Sequence, residues 1–184
     1  MQYQLADSRA TPPTPSSYWV LPNRLLAGAY QGHRVPAEHQ ARIHALVDAG
    51  IRHFLNLMEE HETNYSGETF APYLPIASAR VPTVHMIRHS IRDLSVPTPP
   101  TTMTAILDAI DESLASDQPT YVHCWGGVGR TGTVIGCWLL RRGLPTWKSP
   151  LLVHSCRGLS AFGTLDLIRS VSIPNATNRL CRVL

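Results

Sequence analysis

Lysine is nearly missing from this chain: fifteen of its sixteen basic residues are arginine, and Lys148 is the exception. Arginine's planar fork suits phosphate oxygens, although genome composition produces the same bias. Long apolar runs are missing too. The start MQYQLADSRA holds no apolar stretch, so no secretory leader is expected, and no run approaches a membrane span. Cysteine is sparse, with Cys124, Cys137, Cys156 and Cys181 in 184 residues. That density excludes a disulfide framework and fits a reducing, cytoplasmic setting with free thiols. Neither Cys-x2-Cys nor His-Glu-x2-His occurs, so no metal site is expected despite nine histidines. His85 and His89 fall on a predicted strand, where residues four apart lie about 13 Å from each other. No cofactor is expected.

The chain is 43% hydrophobic and 16% charged, with a formal charge of +3. Its length fits one domain with its own core. The mild basicity suits an anionic substrate of modest size. Neither a nucleic-acid partner nor a membrane is expected.

Residues 1–17 contain Pro12, Pro13 and Pro15 among serine and threonine, which reads as a flexible or extended arm outside the core. The packed domain then runs over 18–184. Strands are expected at Tyr18–Leu21, Leu25–Tyr30, Ile51–Met58, Val84–Ile91 and Thr120–His123. Helices are expected at 36–49, 101–116 and Thr131–Arg142, from apolar spacing bounded by Pro36, Gly50 and Gly143. Residues 71–79 are ambiguous because of two prolines. Weaker helical patterns cover 145–156, 163–171 and 172–184. Alternation of strand and helix implies a single α/β domain with a central, mostly parallel sheet flanked by helices.

The chemistry sits in His123-Cys124-Trp125-Gly126-Gly127-Val128-Gly129-Arg130-Thr131-Gly132, between a strand and a helix. Glycines at 126, 127 and 129 let the backbone turn its N–H groups inward as an anion-binding nest. The helix behind adds its positive end. A free thiol is only about 3% ionised at pH 7, and such surroundings favour the thiolate. Arg130 can grip two phosphate oxygens, and Thr131 can donate a hydrogen bond to the sulfur. Gly127 to Gly132 also fits the dinucleotide fingerprint G-x-G-x-x-G. That fold wants an acidic residue about 20 positions on, and none occurs from 118 to 165. A nucleotide P-loop fails as well, because no Lys-Ser/Thr pair follows the glycines.

His123-Cys124 through Arg130-Thr131, His-Cys-x5-Arg-Thr, resembles the signature of the protein tyrosine phosphatase superfamily. The short chain resembles its compact dual-specificity branch, over residues 18 to about 170. The resemblance implies a strand–loop–helix site in which Cys124 attacks phosphorus. Residues Trp125, Gly126, Gly127, Val128, Gly129 and Arg130 would hold the phosphate. It also implies an acid-loop aspartate, and Asp93 stands 31 residues before Cys124 in Ser90-Ile91-Arg92-Asp93-Leu94-Ser95-Val96-Pro97. A carboxylic acid there would protonate the leaving oxygen and then act as base on water. The covalent intermediate divides one hard displacement into two easier ones. His123 is expected to orient the loop, as the resemblance implies, more than to move protons. The implied substrate is phosphotyrosine on protein, with phosphoserine or phosphothreonine as further substrates. An inositol phosphate, a nucleotide or an RNA 5′ phosphate is the alternative, and a phosphate-binding module without turnover is a third reading.

Several residues carry weaker expectations. Glu59 and His61 could border the site from the loop after a strand. Arg92 could touch an anion, though a solvated arginine is the simpler reading. Asn175 and Asn178 are candidates, by location only, for placing the second-step water. Asp108, Asp111 and Glu112 read as a solvated helix face, and Cys137, Cys156 and Cys181 as core or incidental. The neutral interior of the loop, without lysine, favours a singly phosphorylated group over a densely charged one.

Overall fold

Proline and glycine mark the element ends. A proline in a helix's first turn forfeits no hydrogen bond, and glycine past the last turn adopts the left-handed backbone that stops it. The computed structural model describes residues 3–6 and 10–144. In chain order the elements are β1 (Ser17–Leu21), β2 (Leu25–Ala29), α1 (Pro36–Asp48), β3 (His53–Asn56), α2 (Leu74–Arg80), β4 (His85–Arg88), α3 (Pro100–Ala115), β5 (Thr120–Cys124) and α4 (Gly129–Arg141). Pro36, Pro75 and Pro100 all lie in first turns, and Gly50 follows α1 with φ of 95°. The ambiguous 71–79 segment is therefore helical from Leu74, with Pro75 where a helix tolerates it. Helix α4 starts two residues earlier than expected, at Gly129. The helical expectations for 145–156, 163–171 and 172–184 lie outside the described residues, as do Asn175, Asn178, Cys156 and Cys181.

The sheet has strand order β1-β2-β5-β3-β4. Only β1 runs antiparallel, paired with β2; the other pairings are parallel. Strands β3 and β5 are buried along their whole length, as interior parallel strands covered on both faces must be. One face packs on α3 and α4 through Met103, Ile106, Ile110, Val134, Ile135 and Trp138. The other packs on α1 and α2 through Ile43, Leu46, Val47 and Ala77. The fold is thus the expected α/β domain with a mostly parallel sheet between helices.

Two expectations need correction. Asp111 is not a solvated face residue: it accepts from Trp138 Nε1 at 2.8 Å and pairs with Arg142, clamping α3 to α4. The segment before β1 is not detached: Tyr3 packs edge-on against Trp138 with centroids 5.5 Å apart, Leu5 lies against the same core, and the Ala6 N–H bonds to the Val20 carbonyl.

Candidate active site

The parallel arrangement sends β2, β3, β4 and β5 out at one edge, and β5 lies between β2 and β3. Ligand crevices form outside the carboxyl ends of strands where connections diverge in this way. Four segments meet there: Ala29–Tyr30 after β2, Leu57–Glu62 after β3, Ser90–Asp93 after β4, and the loop from Cys124 to α4 after β5.

The β5 loop is fixed by backbone contacts. Tyr30 N–H donates to the carbonyls of Cys124 at 2.7 Å and Trp125 at 3.0 Å, and Leu57 N–H to that of His123 at 2.8 Å. Gly127 has φ of 72°, and a Cβ there would lie 2.4 Å from the backbone of Gly28 and Ala29. Glycine is needed at this position twice over, for the turn and for the close approach to β2. Gly126 and Gly129 have neither requirement: a Cβ on either meets nothing within 4 Å. The expectation that three glycines shape the turn thus reduces to one.

Cys124 is buried, with 3% of its surface exposed. Its Sγ accepts a hydrogen bond from the Gly127 N–H at 3.3 Å, so at least one amide of the nest points at the sulfur. Helix α4 begins at Gly129 and directs its positive end into the same loop. Arg130 is buried behind it at 4% exposure. Its Nη1 donates to Glu62 Oε2 at 2.6 Å and to the Ile91 carbonyl at 3.1 Å. Its Nη2 donates to Glu62 Oε1 at 2.7 Å and lies 3.0 Å from Asp93 Oδ1. Two carboxylates from two loops therefore converge on one guanidinium. Burial alone would push the Glu62 carboxyl up, but the hydrogen bonds and charge of Arg130 outweigh it and hold the group below the ordinary range.

His123 lies beneath the loop, fully enclosed. Its Nδ1 faces the Cys124 carbonyl at 3.3 Å and its Nε2 lies 2.8 Å from the Tyr73 hydroxyl. A carbonyl only accepts, so this geometry puts the proton on Nδ1 and makes Nε2 the acceptor of the Tyr73 hydroxyl. Burial pushes the imidazole down to about 4, so the ring stays neutral and acts as a strut. Thr131 differs from expectation. Its hydroxyl has a single proton, which is donated to the Gly28 carbonyl at 3.4 Å and not to the sulfur.

At the rim, Trp125 meets Tyr65 with centroids 4.5 Å apart and Phe70 at 5.5 Å. Tyr65 is 97% exposed, and Leu94 and Val128 are also exposed there. The loop after β3 does border the site, but through Glu62 and Tyr65. Glu59 turns to a neighbouring groove, His61 is exposed, and so is Arg92. Glu62 was missed because a glutamate in a polar loop carries no spacing signal. Its register to Arg130 exists only across the sheet, 68 residues away in sequence. Among the described residues, no group of three metal-ligating side chains is placed to hold an ion.

A strand, a nest enclosing a cysteine, and a pinned arginine at the start of a helix define a cysteine-type phosphatase site. Residues 27–144 match the Tc-R-P family, described as a polymorphic toxin system DSP-PTPase phosphatase, and the chain belongs to that family. Its fold is shared by Tk-PTP in the active form, at 22% identity and a TM-score of 0.61 over 85% of this chain and 96% of that one. It is shared by PTPMT1 in complex with PI(5)P, at 18% identity and 0.55 over 81% and 90%. A cysteine-to-serine form of P. aeruginosa TpbA in complex with pTyr matches at 12% identity and 0.55 over 90% and 88%. The protein is a phosphatase of the protein-tyrosine and dual-specificity type.

Proposed function

We propose that the protein hydrolyses phosphotyrosine on polypeptides through a cysteinyl-phosphate on Cys124. The observation that carries this reading is the Cys124 sulfur held by the Gly127 amide in a loop whose Arg130 is buried and charge-neutralised by Glu62. In the first step an electron pair on Sγ forms the S–P bond. The P–O bond to tyrosine breaks, and the leaving phenolate takes a proton from Asp93. In the second step water attacks phosphorus, gives its proton to the Asp93 carboxylate, and the P–S electrons return to sulfur. Inorganic phosphate leaves. Arriving phosphate competes with Asp93 for the Nη2 hydrogens, while Glu62 keeps the guanidinium oriented for planar, two-point contact. Preorganised amides and guanidinium face charge that builds on the equatorial oxygens.

The aromatic rim supports phosphotyrosine over smaller or more charged esters. Tyr65, Trp125 and Phe70 offer ring surface beside the loop, and residues 125–129 hold no basic side chain. Relatives in fold are solved with PI(5)P and with pTyr, so the fold leaves the choice to these side chains. Free thiols at Cys124 and Cys137 fit a reducing, cytoplasmic setting; among the described residues, no helix is long and apolar enough to cross a membrane.

Phosphate release should be measured on phosphotyrosine and phosphoserine peptides, inositol phosphates, a nucleotide monophosphate and a 5′-phosphorylated RNA. Phosphotyrosine peptides are expected to lead, and Cys124→Ser to abolish turnover while still binding phosphate. Turnover in Cys124→Ser would end the nucleophile assignment. Faster release from inositol phosphates would replace the substrate.

A further inference from the structure

A second concavity, of about 160 Å³, opens beside the catalytic loop. It shares walls with the site. Tyr30 lines it, and the Tyr30 N–H holds the Cys124 and Trp125 carbonyls. Phe70 lines it and packs on Trp125 from the other side. The groove is therefore continuous with the catalytic rim, with Phe70 as the partition.

Its lining joins the buried Met58 and Tyr73 to the exposed Glu59 and Glu60. Glu62 also lines it, but Arg130 cancels that charge. The remaining lining cation is Arg88, whose Nη1 is turned to the carbonyls of Met58 and Glu59. Several other surface carboxylates are paired: Asp48 with Arg80, Glu68 with Arg34 and Asp108 with Arg141. Among the described residues, Glu59 and Glu60 enter no ion pair. The backbone of Glu59 is held in place, since its N–H donates to Glu62 Oε2 at 3.2 Å and so to the residue that fixes Arg130.

We propose that this groove is a specificity subsite for a basic side chain, arginine or lysine, that flanks the phosphotyrosine of a polypeptide substrate. The proposal rests on the phosphoprotein reading above. The chain of a substrate whose phosphotyrosine fills the cup must leave across the rim, and Phe70 separates the two depressions. A long aliphatic stem covers the apolar wall while its cation stays at the wet mouth. There it meets two carboxylates, with the Tyr30 and Phe70 rings beside it. An acidic side chain at the same place is repelled, and a short one leaves the wall uncovered.

The test is a set of phosphotyrosine peptides carrying arginine, alanine or glutamate at successive positions on either side of the phosphorylated residue. For each enzyme, kcat/KM is divided by that enzyme's own value on free phosphotyrosine. At one position arginine is expected to exceed alanine by about tenfold, equivalent to about 1.4 kcal/mol, with glutamate below alanine. The double variant Glu59→Gln/Glu60→Gln should reduce that preference to less than about twofold, and added salt should weaken it in the parent enzyme. Hydrolysis of all peptides at one rate, or a preference that survives the double variant, overturns the subsite alone. Failure on every peptide with small phosphates still cleaved overturns the phosphoprotein reading and the subsite with it.

Discussion

The loop after β3 and the loop after β4 each deliver one carboxylate to Arg130, and they do so differently. Glu62 uses both oxygens on both terminal nitrogens and is 8% exposed, whereas Asp93 uses one oxygen and is 49% exposed. The first loop is tied internally: Asn64 Oδ1 accepts from the N–H groups of Ser66 and Glu68, and a bridge joins Thr63 to Thr69. The second puts Leu94 at φ of 55° with 90% of its surface in solvent. Equal charge on the same partner thus serves two purposes. A buried, two-point carboxylate fixes a guanidinium, and an exposed, one-point carboxylate is held less tightly, as the proton donor proposed above requires.

Removing the buried partner should have the largest effect. Glu62→Gln leaves a buried guanidinium without its neutraliser, which costs about 3–5 kcal/mol. Melting should fall by roughly 6 °C or more for a chain of this size, and kcat/KM should drop by about 10²-fold or more. A variant that melts and turns over like the parent would make the two carboxylates equivalent. Acid should tell the same story from another side. Glu62 has its carboxyl held below its ordinary 4.5. Its stabilisation is complete above that value and is lost as pH falls through the lower folded value. Denaturant midpoints of the parent should therefore fall more steeply below pH 4.5 than those of Glu62→Gln. At milder pH a separate loss is expected in both proteins. Burial, then the nearby charges of His85 and His89, pushes His53 down to about 4 from 6.5, and His123 also titrates near 4. Unfolding takes up protons between those values, so stability falls as pH drops from 6.5 towards 4.

Removing the exposed partner should separate activity from stability. Asp93→Asn is expected to lower kcat by about 10²-fold for alkyl and phenyl esters with poor leaving groups. Its unfolding free energy should stay within about 0.5 kcal/mol of the parent. A large loss of stability would show that Asp93 is structural. The smallest effect belongs to the rim. Tyr65→Ala should raise KM for phosphotyrosine peptides by roughly three- to tenfold, the loss of an aromatic contact of about 0.5–1.5 kcal/mol. An alkyl phosphate should be cleaved as before. Equal changes on both substrates would remove Tyr65 from recognition.

Much of this was legible from local pattern. Strand, loop and helix around Cys124 follow from apolar spacing, glycine and the sequence distance to Arg130. Asp93 was reached only through the family resemblance, which implies an acid at about that distance before Cys124, and the guanidinium of Arg130 lies 3.0 Å from it. Other features were illegible for physical reasons. Glu62 looks like any loop glutamate until β3 and β5 set their loops side by side. Thr131 reads as a sulfur partner, but the approach of the loop to β2 places the Gly28 carbonyl in its reach. Tyr3 and Leu5 sit in a proline-bearing, polar segment, and only the surface of Trp138 gives them somewhere to pack.

The order of residues alone determined the cysteine-bearing loop, its glycine turn and the alternation that builds a parallel sheet, because each depends on neighbours within a few positions. Tertiary structure alone decided which carboxylate holds Arg130, which hydrogen bond Thr131 makes and where the acidic groove opens. Those depend on segments brought together by strand order, and separations of tens of residues leave no periodic trace in a sequence.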